Sequence, residues 1–199
     1  MNDSLPRLPP GQHWAKEAFP VLDLGVRPEI KLDQWRLEIS GLVEEPVVLN
    51  WESFVSLPRV EETSDFHCVT TWSVPDARWG GVSMGEILRR CQPSEDARFA
   101  LLTGYDGYTT NVSREAMEHA GVLLADRLNG APLPVKHGGP VRVVFPHLYG
   151  WKSAKFIKSI EWLGADRPGY WERRGYTDTA DPWREERFRG DPEGNGLDF

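Results

Sequence analysis

Asp65-Phe66-His67-Cys68-Val69-Thr70-Thr71-Trp72-Ser73 decides the reading of this chain, because it sets one cysteine among polar residues in an otherwise apolar stretch. Far downstream runs a basic, glycine-rich segment, His137-Gly138-Gly139-Pro140-Val141-Arg142. Thiolates ligate soft or redox metals, whereas guanidinium, ammonium and exposed backbone N–H groups hold phosphate. The two segments together suggest a metal carried on a phosphorylated cofactor. Taken alone, Cys68 also suits a small buried hydrophobe, but His67, Thr70 and Thr71 are the neighbours needed by a loop that presents a thiolate to a polar group. Arg142 stands inside the apolar run Val141 to Phe145, where an unpaired guanidinium is costly. It therefore needs an anionic partner, either a phosphate or a protein carboxylate.

Three motifs extend this reading. The first is Phe66 to Ser73 with Trp79-Gly80-Gly81-Val82; the second is Asn129-Gly130-Ala131-Pro132-Leu133-Pro134 running into His137 to Pro146; the third is Tyr149-Gly150-Trp151-Lys152-Ser153-Ala154-Lys155-Phe156. On these motifs, over roughly Trp35 to Trp162, the chain resembles the sulfite oxidase superfamily of molybdopterin-dependent oxidoreductases. The resemblance implies that Cys68 is the molybdenum ligand and the catalytic residue. It implies further that His137 and Arg142 contact pterin and phosphate, that Ser153, Ala154 and Lys155 form a phosphate-binding turn, and that Thr103 contacts the cofactor as in the bacterial reductase branch, although Thr103 also suits an ordinary strand threonine. Lys152 and Lys155 also fit solvated strand charges. The implied fold is α+β: a mixed, strand-rich sulfite oxidase-type domain with short helices. The family covers the pterin with residues before the first strand, near Phe19-Pro20-Val21-Leu22-Asp23 here, where no polar motif matches.

The reaction is constrained by a departure. Sulfite oxidases place arginine shortly after the cysteine, but Thr70, Thr71, Trp72 and Ser73 occupy that stretch, so a dianionic substrate loses a bidentate partner unless Arg78 replaces it. The Cys-Val-x-x-Trp-Ser pattern is more similar to bacterial protein-methionine-sulfoxide reductases, with Trp72 either an apolar wall for a neutral substrate or a core residue. The expectation is two-electron redox chemistry, oxygen-atom transfer, on a small or sulfur-containing substrate. Two other classes stay open. One is a thiol enzyme using Cys68 with His137 or His147 as base, since His67 points away from Cys68 in an extended segment. The other is a non-catalytic pterin-binding or interaction module. Neither C-x-x-C nor H-E-x-x-H spacing supports zinc.

Composition narrows the field further. The 199 residues, 40% hydrophobic, suit one globular domain. A net charge of −7, from 30 acidic and 23 basic residues, argues against nucleic-acid or anionic-membrane partners. Cys68 and Cys91 cannot make a disulfide framework, the N-terminal stretch lacks an apolar h-region and a twin-arginine pair, and no apolar run approaches ~20 residues. A cytoplasmic location without membrane insertion is expected, with a mature exported form whose signal has been removed as the open alternative. Without a C-x-x-C-H haem motif or a cysteine cluster, an external electron carrier is implied. The resemblance does not extend to the dimerisation domain of eukaryotic sulfite oxidases, so a monomer or a small unconventional oligomer is expected.

Residues 1–30 are proline-rich and aperiodic, and 166–199 are charged, so both read as arms on a core of residues 31–165. Trp35 to Ile39, Arg98 to Thr103, Val141 to Phe145 and Phe156 to Trp162 read as strands. Ser83 to Cys91 reads as a helix with a Ser83–Glu86 capping box and Met84, Ile87, Leu88 and Cys91 on one face, making Cys91 a core residue. Shorter helices are expected after Asn50, ending before Pro58, and after Ser113, with Arg114 to His119 as the body.

Overall fold

The computed structural model describes residues 6–16 and 19–190. Its elements run β1 (His13–Trp14), β2 (Arg36–Gly41), β3 (Val47–Asn50), α1 (Trp51–Val55), β4 (Val60–His67), β5 (Trp72–Ser83), α2 (Met84–Cys91), β6 (Phe99–Gly104), β7 (Thr109–Ser113), α3 (Arg114–Glu118), β8 (Leu123–Leu128), β9 (Ala131–Pro132), β10 (Arg142–Val144) and β11 (Ile157–Leu163). They form two sheets. One follows the order β1-β5-β8-β10, with β4 paired to β5 and β9 to β8; the other follows β3-β2-β11-β6-β7.

The second sheet shows how the residues choose their faces. In β2, Leu37 and Ile39 are buried between exposed Arg36 and Glu38, the period-two pattern of a half-buried strand. β2 pairs parallel to β11, whose Ile157, Ile160 and Trp162 join the same core. In the first sheet the pattern differs. Leu124 of β8 and Val143 of β10 face the main core, whereas Leu123, Ala125 and Val144 face a second cluster with Phe66 and Trp79. Both faces of these strands are covered, which explains why their sequences read as continuous apolar runs rather than alternating ones. Arg142, two residues before Val144, shares the face of that second cluster and lies over the Phe66 and Trp79 rings.

All three helices start on caps the sequence displays. Asn50 Oδ1 accepts from Ser53 N at 2.8 Å, Ser83 Oγ from Glu86 N at 3.2 Å, and Ser113 Oγ from Ala116 N at 3.2 Å. The capping box at Ser83 is only half formed. Ser83 ends β5 in register with Leu123, and the Glu86 carboxylate turns instead to Arg89 and Arg90. Met84, Ile87 and Cys91 are buried as the periodicity predicts, while α3 stops at Glu118 with His119 already extended.

The terminal segments run along this frame. β1 adds a parallel strand to β5, with His13 opposite Trp72 and Trp14 opposite Ser73. Tyr176 and Ala180 bury against Tyr149 and Trp151, and Tyr149 N donates to Ala180 O at 2.9 Å. Among the described residues no helix is long and apolar enough to cross a membrane.

Gly81 marks the tightest approach between β5 and β8: a Cβ there would lie 2.0 Å from the Leu124 carbonyl oxygen. Gly81→Ala should therefore destabilise the protein at the upper end of about 1–3 kcal/mol. Gly85 is exposed in α2, and a Cβ added to it would meet nothing within 4 Å. Gly85→Ala should behave oppositely, gaining roughly 0.5–1 kcal/mol. Urea unfolding midpoints of the two variants check both signs.

Candidate functional site

The Cys68 turn spans the four residues between β4 and β5. Cys68 N donates to Trp72 O at 2.9 Å, Thr71 N returns to Cys68 O at 3.1 Å, and Thr71 closes the turn at φ 73°. The Cys68 sulfur lies 3.1 Å from Thr70 Oγ1, and the residue is 8% exposed. Burial pushes the thiol pKa up, against the Thr70 hydroxyl and the nearby Arg187 charge. His67 takes the opposite side, as its position in an extended segment predicts. Its Nδ1 is 2.8 Å from Ser73 Oγ, its ring meets the edge of Trp183, and burial lowers its pKa.

Cys68 opens onto a cavity of about 500 Å³. His137, Arg142, Ser153 and Lys155 line the same cavity, so five of the seven predicted site residues converge. Thr103 and Ala154 do not line it. Thr103 is held inside β6 between Thr109 and Ser159, and Ala154 points into the main core while its carbonyl accepts from Val143 N. Beyond Thr103 the chain turns, and Asp106 and Tyr108 reach the cavity instead. Tyr108 is buried, its hydroxyl donating to Trp151 O at 2.6 Å. The remaining walls are chiefly apolar: Phe19, Pro20, Leu22 and Leu24 from the N-terminal segment, Phe66, Val69 and Trp72 around the turn, and Trp151, Trp171 and Tyr176 opposite. Trp72 is thus a wall, and Arg78 is exposed and outside the cavity.

Arg142 is 2% exposed and bound only by carbonyls: His137 O at 3.0 Å, Ser153 O at 2.8 Å and Val143 O at 3.3 Å. The protein carboxylate considered as its partner is not there among the described residues, and burial depresses its pKa to about 9. Ser153 Oγ accepts from Phe145 N at 3.0 Å. Lys155 Nζ donates to Leu22 O at 2.7 Å and Lys136 O at 3.0 Å, and burial followed by the Arg142 charge lowers its pKa to about 8 despite Asp23 and Asp106. His137 packs on Phe19 with ring centroids 5.0 Å apart, and burial with Arg142 beside it pushes its pKa down to about 4, leaving it neutral. His147 is not in the cavity; it stacks on His119 at 3.8 Å.

Lys152 is neither a solvated strand charge nor a cavity residue. It is fully buried, its Nζ bonded to Glu172 at 2.6 Å, to Asn111 O at 2.8 Å and to Asn111 Oδ1 at 2.9 Å. Glu172 also accepts from Thr110 and from the Trp151 indole at 3.1 Å, so it orients a wall of the cavity.

One buried thiol, a buried guanidinium lacking a carboxylate and a depressed lysine around one cavity fit a metal brought in by an anionic cofactor. Among the described residues no three His, Cys, Asp or Glu side chains converge on a common point. Fold and site define a cofactor-dependent oxidoreductase. Residues 24–171 match the family described as the oxidoreductase molybdopterin binding domain, and the chain belongs to that family; its cofactor is molybdenum-molybdopterin. The uncharacterized oxidoreductase YuiH of Bacillus subtilis strain 168 is 40% identical over 96% of each chain. The protein-methionine-sulfoxide reductase catalytic subunit MsrP of Campylobacter jejuni is 29% identical over 69% of this chain, which spans about half (52%) of that relative's length. The sulfane dehydrogenase SoxCD of Paracoccus pantotrophus superposes over 75% of this chain and 42% of its own, with a TM-score of 0.66 and 21% identity, sharing the strand-rich fold.

The two lysines respond to different perturbations. Lys152→Met leaves Glu172 buried without its partner and should cost about 3–5 kcal/mol in urea unfolding, while adding Glu172→Gln should recover much of the loss. Lys155 titrates at about 8 when folded and 10.5 unfolded, so it opposes folding below pH 8 and that opposition fades as pH rises from 8 to 10.5. A bound anion favours the protonated form. Sulfate affinity in the cofactor-free protein should therefore fall from pH 7 to pH 9, by calorimetric titration, and Lys155→Met should weaken binding and flatten the dependence.

Proposed function

We propose that this molybdopterin-dependent oxidoreductase removes oxygen from a neutral sulfur compound, a sulfoxide, rather than oxidising sulfite. The observation that carries this reading is the wall around Cys68. Val69, Trp72, Trp171 and Tyr176 present apolar and aromatic surface and Arg78 lies outside, so among the described residues Arg142 is the one arginine lining the cavity, and it is taken by the anionic cofactor rather than left for a dianionic substrate. The name of the MsrP relative supports the same substrate class.

When bound, the cofactor supplies the two-electron oxygen-atom exchange. Cys68 holds the metal as a thiolate, and Arg142 and Lys155 hold the anionic end of the cofactor. Trp72 excludes water beside the sulfur. Tyr176 is in the cavity, and burial with the Cys68 charge nearby raises its pKa, so its phenol stays protonated at neutral pH and can donate to the departing oxygen. The S–O bond breaks, two electrons from an external carrier and two protons are consumed, and thioether and water leave.

Protein from a host competent in molybdopterin synthesis should carry near-stoichiometric molybdenum and reduce methionine sulfoxide or dimethyl sulfoxide with a reduced viologen dye. Cys68→Ser should lose about 100-fold or more of this turnover, since removing even an outer partner of a metal ligand costs 10–100-fold. Faster sulfite oxidation than sulfoxide reduction would reverse the substrate assignment.

A further inference from the structure

The Cys68 turn is exposed at Thr70 and Thr71, so little of the core holds it from the solvent side. Its hold there comes from the two terminal segments. Gln12 Nε2, from the N-terminal segment, donates to Cys68 O at 3.2 Å. Arg187, from the C-terminal segment, donates to the carbonyl of Val69, the residue following the thiol and itself a cavity wall. Arg187 is 6% exposed, lies 5.2 Å from the Tyr149 ring centroid and is 3.8 Å from the partly exposed Glu185 carboxylate. Gly11 leaves room for this group: a Cβ there would stand 2.7 Å from Glu185 Oε1 and 3.3 Å from Arg187 Nη2. A buried guanidinium aimed at a backbone carbonyl beside the metal ligand is more than a surface charge, because moving the turn would strip it of that acceptor.

We infer that Arg187 is a positioning residue: through the Val69 carbonyl it fixes the Cys68 turn, and with it the direction in which the thiolate meets the metal. The inference rests on the reading of Cys68 as molybdenum ligand. Arg184, on the same segment but 76% exposed at its side chain, has no such contact.

The test compares wild type with Arg187→Met, Arg187→Lys and Arg184→Met as full chains. Amide hydrogen exchange over residues 68–72 reads the turn, and exchange over α2 (Met84–Cys91) reads global stability; molybdenum content and the Mo(V) EPR signal read the ligand. Arg187→Met should exchange over 68–72 about tenfold faster or more, with α2 unchanged and the EPR signal altered, because a hydrogen bond from a charged group restrains local opening. Arg187→Lys should return toward wild type, and Arg184→Met should match it. Unchanged exchange over 68–72 in Arg187→Met, or equal acceleration of 68–72 and α2, would overturn the inference, as would an unaltered EPR signal despite a loosened turn. Absence of molybdenum from wild type is a different failure, that of the cofactor reading, and the exchange comparison still decides whether Arg187 holds the turn.

Discussion

The charge of Arg142 is the constraint around which this fold is arranged. A guanidinium at 2% exposure carries a large desolvation cost, and here it is met by three carbonyls and two aromatic faces, with no carboxylate among the described residues. Carbonyl dipoles satisfy its hydrogens without cancelling its charge. A bound anion would supply the countercharge, and this suits the place of Arg142 in the proposed cofactor site. β10 can hold such a residue because both of its faces are covered, so Val143 anchors the strand in the main core while Arg142 faces the second cluster beside the cavity.

Lys152 shows the opposite solution three residues before Lys155. Its ammonium is cancelled inside the protein by Glu172 and capped by Asn111, and the same carboxylate fixes the Trp151 indole. Glu172 belongs to the C-terminal segment, so this buried pair fastens that segment to the floor of the cavity. One cation thus serves architecture while the other, held by two carbonyls, lines the cavity, although the two look alike in sequence.

That contrast marks the limit of what the sequence discloses. Caps at Asn50, Ser83 and Ser113 and the alternation in β2 act through neighbours within a few residues, so they are legible without a structure. Cys68 and Arg142 are legible because each is chemically out of place in its surroundings. The fates of Lys152 and Lys155 depend on Glu172 and on Leu22, and local patterning carries no trace of partners so distant. The same holds for Thr103, whose side of the strand is set by pairing with β7 and β11, and for the aromatic walls from residues 19–24 and 171–176, which lie in segments whose composition suggests only arms.

The state of the thiol separates the metal reading from the thiol-enzyme alternative. A nucleophilic cysteine works as thiolate and is served by a lowered pKa and a base in reach. Cys68 has the reverse environment: burial raises its pKa, His67 is turned to Ser73, and His147 is stacked elsewhere on His119. His137 does reach the cavity, but burial and the adjacent Arg142 hold its pKa at about 4, which makes it a weak proton acceptor. A high-valent metal changes the balance, because direct coordination displaces the proton that burial otherwise retains. The burial that disfavours Cys68 as a free nucleophile is therefore compatible with its service as a ligand.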